Sequence, residues 1–296
     1  MSVRFGVSPI AWANDDMPEL GGDTPLETIL REAHEIGFEG VELGGKFPRE
    51  PAALEKALAP HQLDLVGGWY SSSLLTQDAD AEIAALQPHL NLLKAMGSTV
   101  FVFAETSNAV HADRATPLEG APRLKSGEWK PFGERMSQVA DYIAGEGLKF
   151  AYHHHLGTVV ENQADVDAFI VATSPSVGFT LDTGHAVLGG VKTIDVIERH
   201  PERIAHVHCK DVRGAAHAEA RRTGKSFLDG VLAGMFTAPG DGDIDFGAVM
   251  KALKRIGYRG WIIVEAEQDP AVANPRVYGA LGLATLKREA AAVGLI

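Results

Sequence analysis

Residues 177–190, VGFTLDTGHAVLGG, and residues 202–211, ERIAHVHCKD, decide how the chain is read. Each holds a short apolar run that breaks into metal-capable side chains: Asp182 and His185 in the first, and His206, His208, Lys210 and Asp211 in the second. Residues 260–269, GWIIVEAEQD, repeat the plan with Glu265 and Glu267. Successive side chains of a strand point to opposite faces, so His206, His208 and Lys210 share a face, as do Glu265 and Glu267. Carboxylates joined by one or two imidazoles suit Mn, Co, Fe or Zn better than Ca. No cysteine pair competes for that role. The single cysteine, Cys209, falls on the opposite face as a small hydrophobe, rules out an internal disulfide framework and fits a reducing compartment.

Outward from these runs the chain alternates strand and helix. Apolar runs predict strands at 4–9, 40–44, 63–70, 99–105, 148–154, 177–182, 204–211 and 261–267. Helical spacing predicts helices at 25–36, 51–60, 80–96, 132–146, 162–172, 246–256 and 274–292, with a short helical segment between the two opening stretches. Thr24 is expected to cap the first helix, with Pro25 at its first position and Gly37 ending it; Asp243 is expected to cap the helix that starts at Phe246. Eight strand–helix units argue for one closed (β/α)8 barrel domain over 1–296 rather than an open doubly wound sheet, and the first turn carries no GxGxxG. Residues 106–130 and 212–242 are polar and without clear period; they read as long loops over the C-terminal face, the first of them a lid.

Composition narrows the function classes. Hydrophobic residues are 45% and charged residues 22% of the 296, as in ordinary globular chains. The net charge of -12, with no basic run, argues against nucleic-acid binding. No stretch reaches the length of a membrane span and the start carries no leader pattern, so a soluble, cytoplasmic protein is expected. No single apolar stripe marks an interface, and a homo-oligomer stays open.

In such barrels the active site is built at the C-terminal strand ends. Those ends supply Trp12 and Asn14, Glu42 and Lys46, Trp69 and Tyr70, Glu105, His153 to His155, Asp182 and His185, His208 and Lys210, and Glu265 and Glu267. Plainer roles exist for several. Asp182 could cap the following helix, Glu42 could pair with Lys46, and Trp12 and Trp69 could fill the core. His34, His61, His89, His200 and His217 lie on helices or loops and are read as structural or exposed.

The fragments SPIAWANDDMPELGGDTPLE, VELGGKFP, YHHHLGTVVE, LDTGHAVLGG, AHVHCKDVR, APGDGDIDF and WIIVEAEQDP together resemble the inosose dehydratases of inositol catabolism. These belong to the broader xylose-isomerase-like barrel superfamily, with sugar epimerases and endonucleases of the endonuclease IV type. The resemblance covers nearly the whole chain; LDTGH and VEAE recur across the superfamily, whereas NDDMPELGGDTPLE and YHHHLGT point to the dehydratases. It implies one divalent ion on Asp182, His208 and Glu265. The fourth ligand departs from the usual glutamate: His153 and His155 share a face of the fifth strand, Glu161 lies beyond it, and His153 is favoured. Manganese or cobalt is implied first, then zinc, iron or magnesium. Glutathione accompanies some members, but nothing in this chain marks a site for it.

The implied reaction removes water from 2-keto-myo-inositol (scyllo-inosose) to give a trihydroxycyclohexane-dione. It needs a proton taken beside the ketone, an enolate stabilised and a hydroxyl expelled. Lys210, His185, His155 and Glu42 are the acid–base candidates, with the neighbouring cation expected to depress Lys210. Trp12, Asn14, Lys46, Trp69, Arg213 and Glu267 are the expected substrate contacts. A sugar epimerase or isomerase is the alternative, since both chemistries begin with an enolate beside a metal-bound carbonyl. A multi-zinc phosphodiesterase is opposed by the charge, and a non-catalytic sugar binder by the retention of all three carried-over ligands.

Overall fold

Parallel strands must hide both faces, and this chain does so by closing on itself. A computed structural model describes residues 3–296. The strands β1 (Arg4–Val7), β2 (Gly40–Leu43), β3 (Asp64–Ser72), β4 (Val100–Glu105), β5 (Lys149–His153), β6 (Gly178–Asp182) and β7 (Ile204–Cys209) run in sequence around a barrel. The last barrel strand, Trp261–Val264, pairs with both β7 and β1 and closes it. Every barrel pairing is parallel. The expected eight-stranded barrel is therefore what the chain forms.

Alternation divides each strand between two cores. Phe101, Phe103, Phe150, Tyr152, Phe179, Leu181, Val207 and Cys209 face the helical ring and belong to the main core. Val66, Val100, Val102, Ala151, Trp261 and Ile263 form a separate buried cluster that floors the barrel interior. Trp261 fills so much of it that a Cβ on Gly40 would lie 2.7 Å from the indole, so β2 must open on glycine. Above this floor the inward positions change from apolar to ionisable. That change is what makes one end of the barrel a site.

The outer helices are α1 (Leu26–Ile36), α2 (Pro51–Leu58), α3 (Ala79–Ala95), α4 (Trp129–Gly145), α5 (Gln163–Ala172), α6 (Thr183–Leu188) and α7 (Thr193–Arg199). α1 buries Ile29, Leu30 and Ala33 at helical spacing and stops at Gly37, whose φ of 99° suits glycine. Thr24 does not cap it: Pro25 is the cap residue and no side chain bonds there. Among the described residues no helix is long and apolar enough to cross a membrane.

The segment 212–242 is not a structureless loop. It carries α8 (Gly214–Arg222) and α9 (Phe227–Leu232), and a two-stranded ribbon joins β8 (Asp211–Val212) to β9 (Phe236–Thr237). The closing strand Trp261–Val264 is β10, flanked by α10 (Phe246–Arg255) and α11 (Pro275–Ala292). Asp245, not Asp243, caps α10 by accepting from Ala248 N at 3.0 Å; Asp243 accepts from Gly214 N instead. Asp211 holds the end of the segment, accepting from the backbone N–H groups of Gly240, Gly242 and Ile244.

These insertions share a core of their own above the barrel. Met17, Leu118, Leu156, Leu188, Val212, Phe227, Leu228, Val231, Met235 and Phe236 bury one another there. Leu118 N donates to Lys225 O at 2.8 Å, and Arg114 reaches Glu19 at 3.1 Å. Segment 106–130 thus lies over the strand ends as a packed cap. Helical period was absent from these stretches because their apolar residues serve a small irregular core.

Candidate metal and active site

The barrel register sets the inward side chains level. Asp182 at the end of β6 pairs with His208 of β7, and His208 pairs with Ile263, two residues before Glu265. His153 ends β5 beside Thr180. One ligand atom each from His153, Asp182, His208 and Glu265 lies within 4.8 Å of all the others, and all four residues are buried. The fifth-strand position is filled by His153; Glu161 instead accepts from Gly157 N and Arg123.

The hydrogen bonds around this group free the right atoms. His153 Nδ1 is 2.9 Å from its neighbour's carbonyl, His154 O, so the proton belongs on Nδ1 and Nε2 is left as a lone pair. His208 Nε2 donates to Glu42 Oε1 at 3.0 Å, which leaves Nδ1 as the ligand atom. Asp182 Oδ1 accepts from His185 N at 2.8 Å and caps α6, as the plainer reading of this residue expected, while its other oxygen faces inward. Asp182 Oδ2 and His208 Nδ1 are buried without a hydrogen-bond partner, although Glu265 Oε2 approaches Nδ1 to 2.6 Å. Unpaired buried acceptors that converge are costly in a closed protein and natural for a cation site. The donor set therefore fits a divalent ion.

Glu42 does not suit the role of general base. Burial would raise its carboxyl, but His208 and His206, both donating to Oε1, hold it down at about 2. It orients His208 as carboxylates behind ligating histidines do. His206, unassigned from sequence, completes this support from deeper in the barrel, 2.9 Å from Glu42. Glu42→Gln is expected to weaken divalent-ion affinity by about 10–100-fold, read by equilibrium dialysis. Wild-type affinity in that variant would contradict the supporting role.

Lys210 is buried beneath the carboxylates, with Nζ 2.7 Å from Glu265 Oε1, 3.0 Å from Glu267 Oε2 and 3.9 Å from Asp182 Oδ2. Burial disfavours its charge, but these carboxylates overcome it and raise the ammonium above its ordinary value. His185 Nε2 lies 3.0 Å from the same Nζ, and Leu156 N donates to His185 Nδ1. Burial, with His155 and Lys210 nearby, holds His185 well below its usual value.

A cavity of about 240 Å³ opens over this group. Its walls include His153, His208, Glu265 and Glu267, with His155, Trp69 and Glu42 beside them and Asp15, Asp16 and Arg49 toward the β1 and β2 loops. Of the four acid–base candidates, His155 and Glu42 line it; Lys210 and His185 sit behind the wall. His155 packs against His185 with ring centroids 3.7 Å apart and planes tilted by 36°, and burial, with His111, His153 and Lys210 nearby, holds it well below its usual value. Its Nδ1 faces Leu156 O at 2.7 Å, leaving Nε2 as the free lone pair. Glu267 has Oε2 on Lys210 and Oε1 without a partner; burial outweighs Lys210 and lifts its carboxyl to about 7.

Trp69 and Glu267 are the expected substrate contacts that reach the cavity. Trp69 presents an edge-on ring 5.1 Å from that of His153. Trp12 is buried in the core and donates to Glu32 at 2.7 Å. Asn14 folds its own loop, accepting from Asp16 N and Met17 N. Lys46 points outward to Gly22 O at 2.6 Å. Arg213 is clamped to Asp241, Gly234 O and Thr237 within the cap. Position beside a strand end did not fix direction for these four. Sequence reading assigned no place at the site to Asp15, Asp16 or Arg49, because they lie on turns with no period to aim them.

A parallel barrel with an ionisable C-terminal end is shared by many enzymes, and comparison narrows the field. Residues 30–288 match the model of the xylose isomerase-like TIM barrel family. The chain belongs to this family. It is 45% identical to the rhizopine catabolism protein MocC of Rhizobium meliloti, over 99% of this chain and 90% of that protein. It is 40% identical to an inosose dehydratase of Geobacillus thermodenitrificans, over 93% of each chain. Among solved structures, an L-ribulose 3-epimerase superposes with a TM-score of 0.68 at 17% identity, over 99% of this chain and 96% of the other. That likeness speaks for the fold alone.

Proposed function

We propose that this chain is a divalent-metal-dependent hydro-lyase that removes water from 2-keto-myo-inositol to give a trihydroxycyclohexane-dione. The observation that carries the reading is the joint presence of the His153–Asp182–His208–Glu265 group and a small cavity above it, in a chain 40% identical to an inosose dehydratase. Manganese or cobalt is the proposed ion, given two imidazoles and two carboxylates. Held there, it would supply a Lewis acid for the ketone oxygen, worth several kcal/mol of charge stabilisation.

The proton work falls to groups on the cavity wall. His155, neutral and with Nε2 free, is placed to take the proton beside the ketone. Glu267, with Oε1 unpaired and Oε2 on Lys210, is placed to return a proton to the departing hydroxyl. Lys210 and His185 act behind them, fixing Glu267 and Glu265 and packing His155. Trp69 offers an apolar edge to the ring of the polyol.

The test is the identity of the product. Incubation with 2-keto-myo-inositol should yield a species lighter by one water with diketone ultraviolet absorbance. A product of unchanged mass and altered stereochemistry would replace this reading with a sugar epimerase.

A further inference from the structure

Three charged side chains ring the cavity mouth, and two are already engaged. Asp15 accepts from Gly45 N at 2.9 Å, and a Cβ on Gly45 would sit 2.5 Å from its carboxylate, so the two loops are fitted closely. Arg49 donates to Gly44 O at 3.2 Å. Asp16 has its backbone N–H fixed by Asn14 Oδ1 at 2.8 Å, while its carboxylate has no hydrogen-bond or ion-pair partner among the described residues. It acts electrostatically on Glu267 from one side and on His111 of the cap from the other. A loop bond thus holds a free acceptor at the entrance of a site of molecular size.

The charges behind it are matched. Lys210 lies among Asp182, Glu265 and Glu267, a divalent ion held there would offset the remaining charge, and Glu42 is held by two imidazoles. At the mouth Asp15 and Asp16 face Arg49, the one Lys or Arg side chain that lines the cavity, so a net negative charge remains there. Such an excess repels like charge where solvent is partly excluded.

Resting on the dehydratase reading, we infer that Asp16 determines which polyols enter: its carboxylate accepts hydrogen bonds from ring hydroxyls and turns away ligands that carry a phosphate or carboxylate group. Two functions are combined in one side chain, and two substitutions separate them. Asp16→Asn keeps an acceptor and removes the charge. Asp16→Ala removes both.

The probes are scyllo-inositol, which is neutral, and an inositol monophosphate, titrated calorimetrically into manganese-loaded protein. Wild type should favour the neutral ring. Asp16→Asn should tighten the phosphate by about tenfold relative to the neutral ring, and added salt should shrink that difference. Asp16→Ala should weaken the neutral ring as well, and in turnover its effect should fall on KM more than on kcat. An unchanged phosphate-to-neutral ratio in Asp16→Asn overturns the inference, as does equal binding of both probes by wild type. Charge selection without any water loss from 2-keto-myo-inositol would leave Asp16 in its role and remove the dehydratase reading.

Discussion

Asp182→Asn is expected to remove at least about 99.9% of metal-dependent water loss while leaving the barrel folded. The choice of asparagine follows from the two tasks of the side chain. Its Oδ1 caps α6 through His185 N, and an amide oxygen can do the same. Its Oδ2, buried and unpartnered between His153 Nε2 at 3.6 Å and His208 Nδ1 at 3.8 Å, is where the ligand charge is needed. An amide there offers a neutral donor to a site built from lone pairs. Equilibrium dialysis should show ion affinity lowered by about two orders of magnitude or more, with circular dichroism unchanged. Asp182→Ala should add loss of the cap, about 1 kcal/mol of stability. Normal ion binding by Asp182→Asn would remove this residue from the ligand set.

Lys210→Met should lower kcat by about 10²–10⁴-fold and destabilise the protein by about 3–5 kcal/mol. Methionine matches the length of the buried stem but leaves Glu265, Glu267 and Asp182 without the ammonium that lies 2.7–3.9 Å from them. Removing one member of a buried charge group exposes the desolvation cost of the rest. A divalent ion should recover part of the stability, since it neutralises Asp182 and Glu265. It should not recover the rate, because Glu267 would have lost the partner that orients Oε2. Thermal unfolding with and without manganese, run beside steady-state kinetics, checks both. A variant with wild-type kcat would show that Lys210 serves the fold alone.

The family resemblance named His153, Asp182, His208 and Glu265, which the fold gathers, and alternation agrees with it for a physical reason. Inward residues of parallel strands recur every second position, so VHCKD and VEAE declare which side chains share the barrel interior. Alternation put His153 and His155 on one face of the fifth strand, and Glu161 was set aside because it lies beyond that strand. Alternation says nothing about what lies behind a residue, however. Lys210 was read as a group beside a cation, whereas three carboxylates from β6 and the segment after β10 surround it. Glu42 was one of four acid–base candidates, and only the approach of its side chain to those of β7 across the barrel discloses the two imidazoles that keep it ionised.

Turns were the least readable. Trp12, Asn14, Lys46 and Arg213 stand next to strand ends in sequence, yet local hydrogen bonds turn each of them from the cavity. Asp16 and Arg49 reach it from turns whose direction depends on Asn14 and Gly44. The cap was half-legible: its position over the strand ends followed from the barrel, but its helices α8 and α9 pack into a core too small to impose a long period.

The measurement closest to the central claim is metal add-back to stripped protein. Chelated enzyme, assayed anaerobically with 2-keto-myo-inositol, should be inactive and should regain water loss as manganese or cobalt is titrated to about one equivalent per chain. Full water loss by the stripped protein, undiminished by chelator, would contradict a mechanism built on the His153–Asp182–His208–Glu265 group.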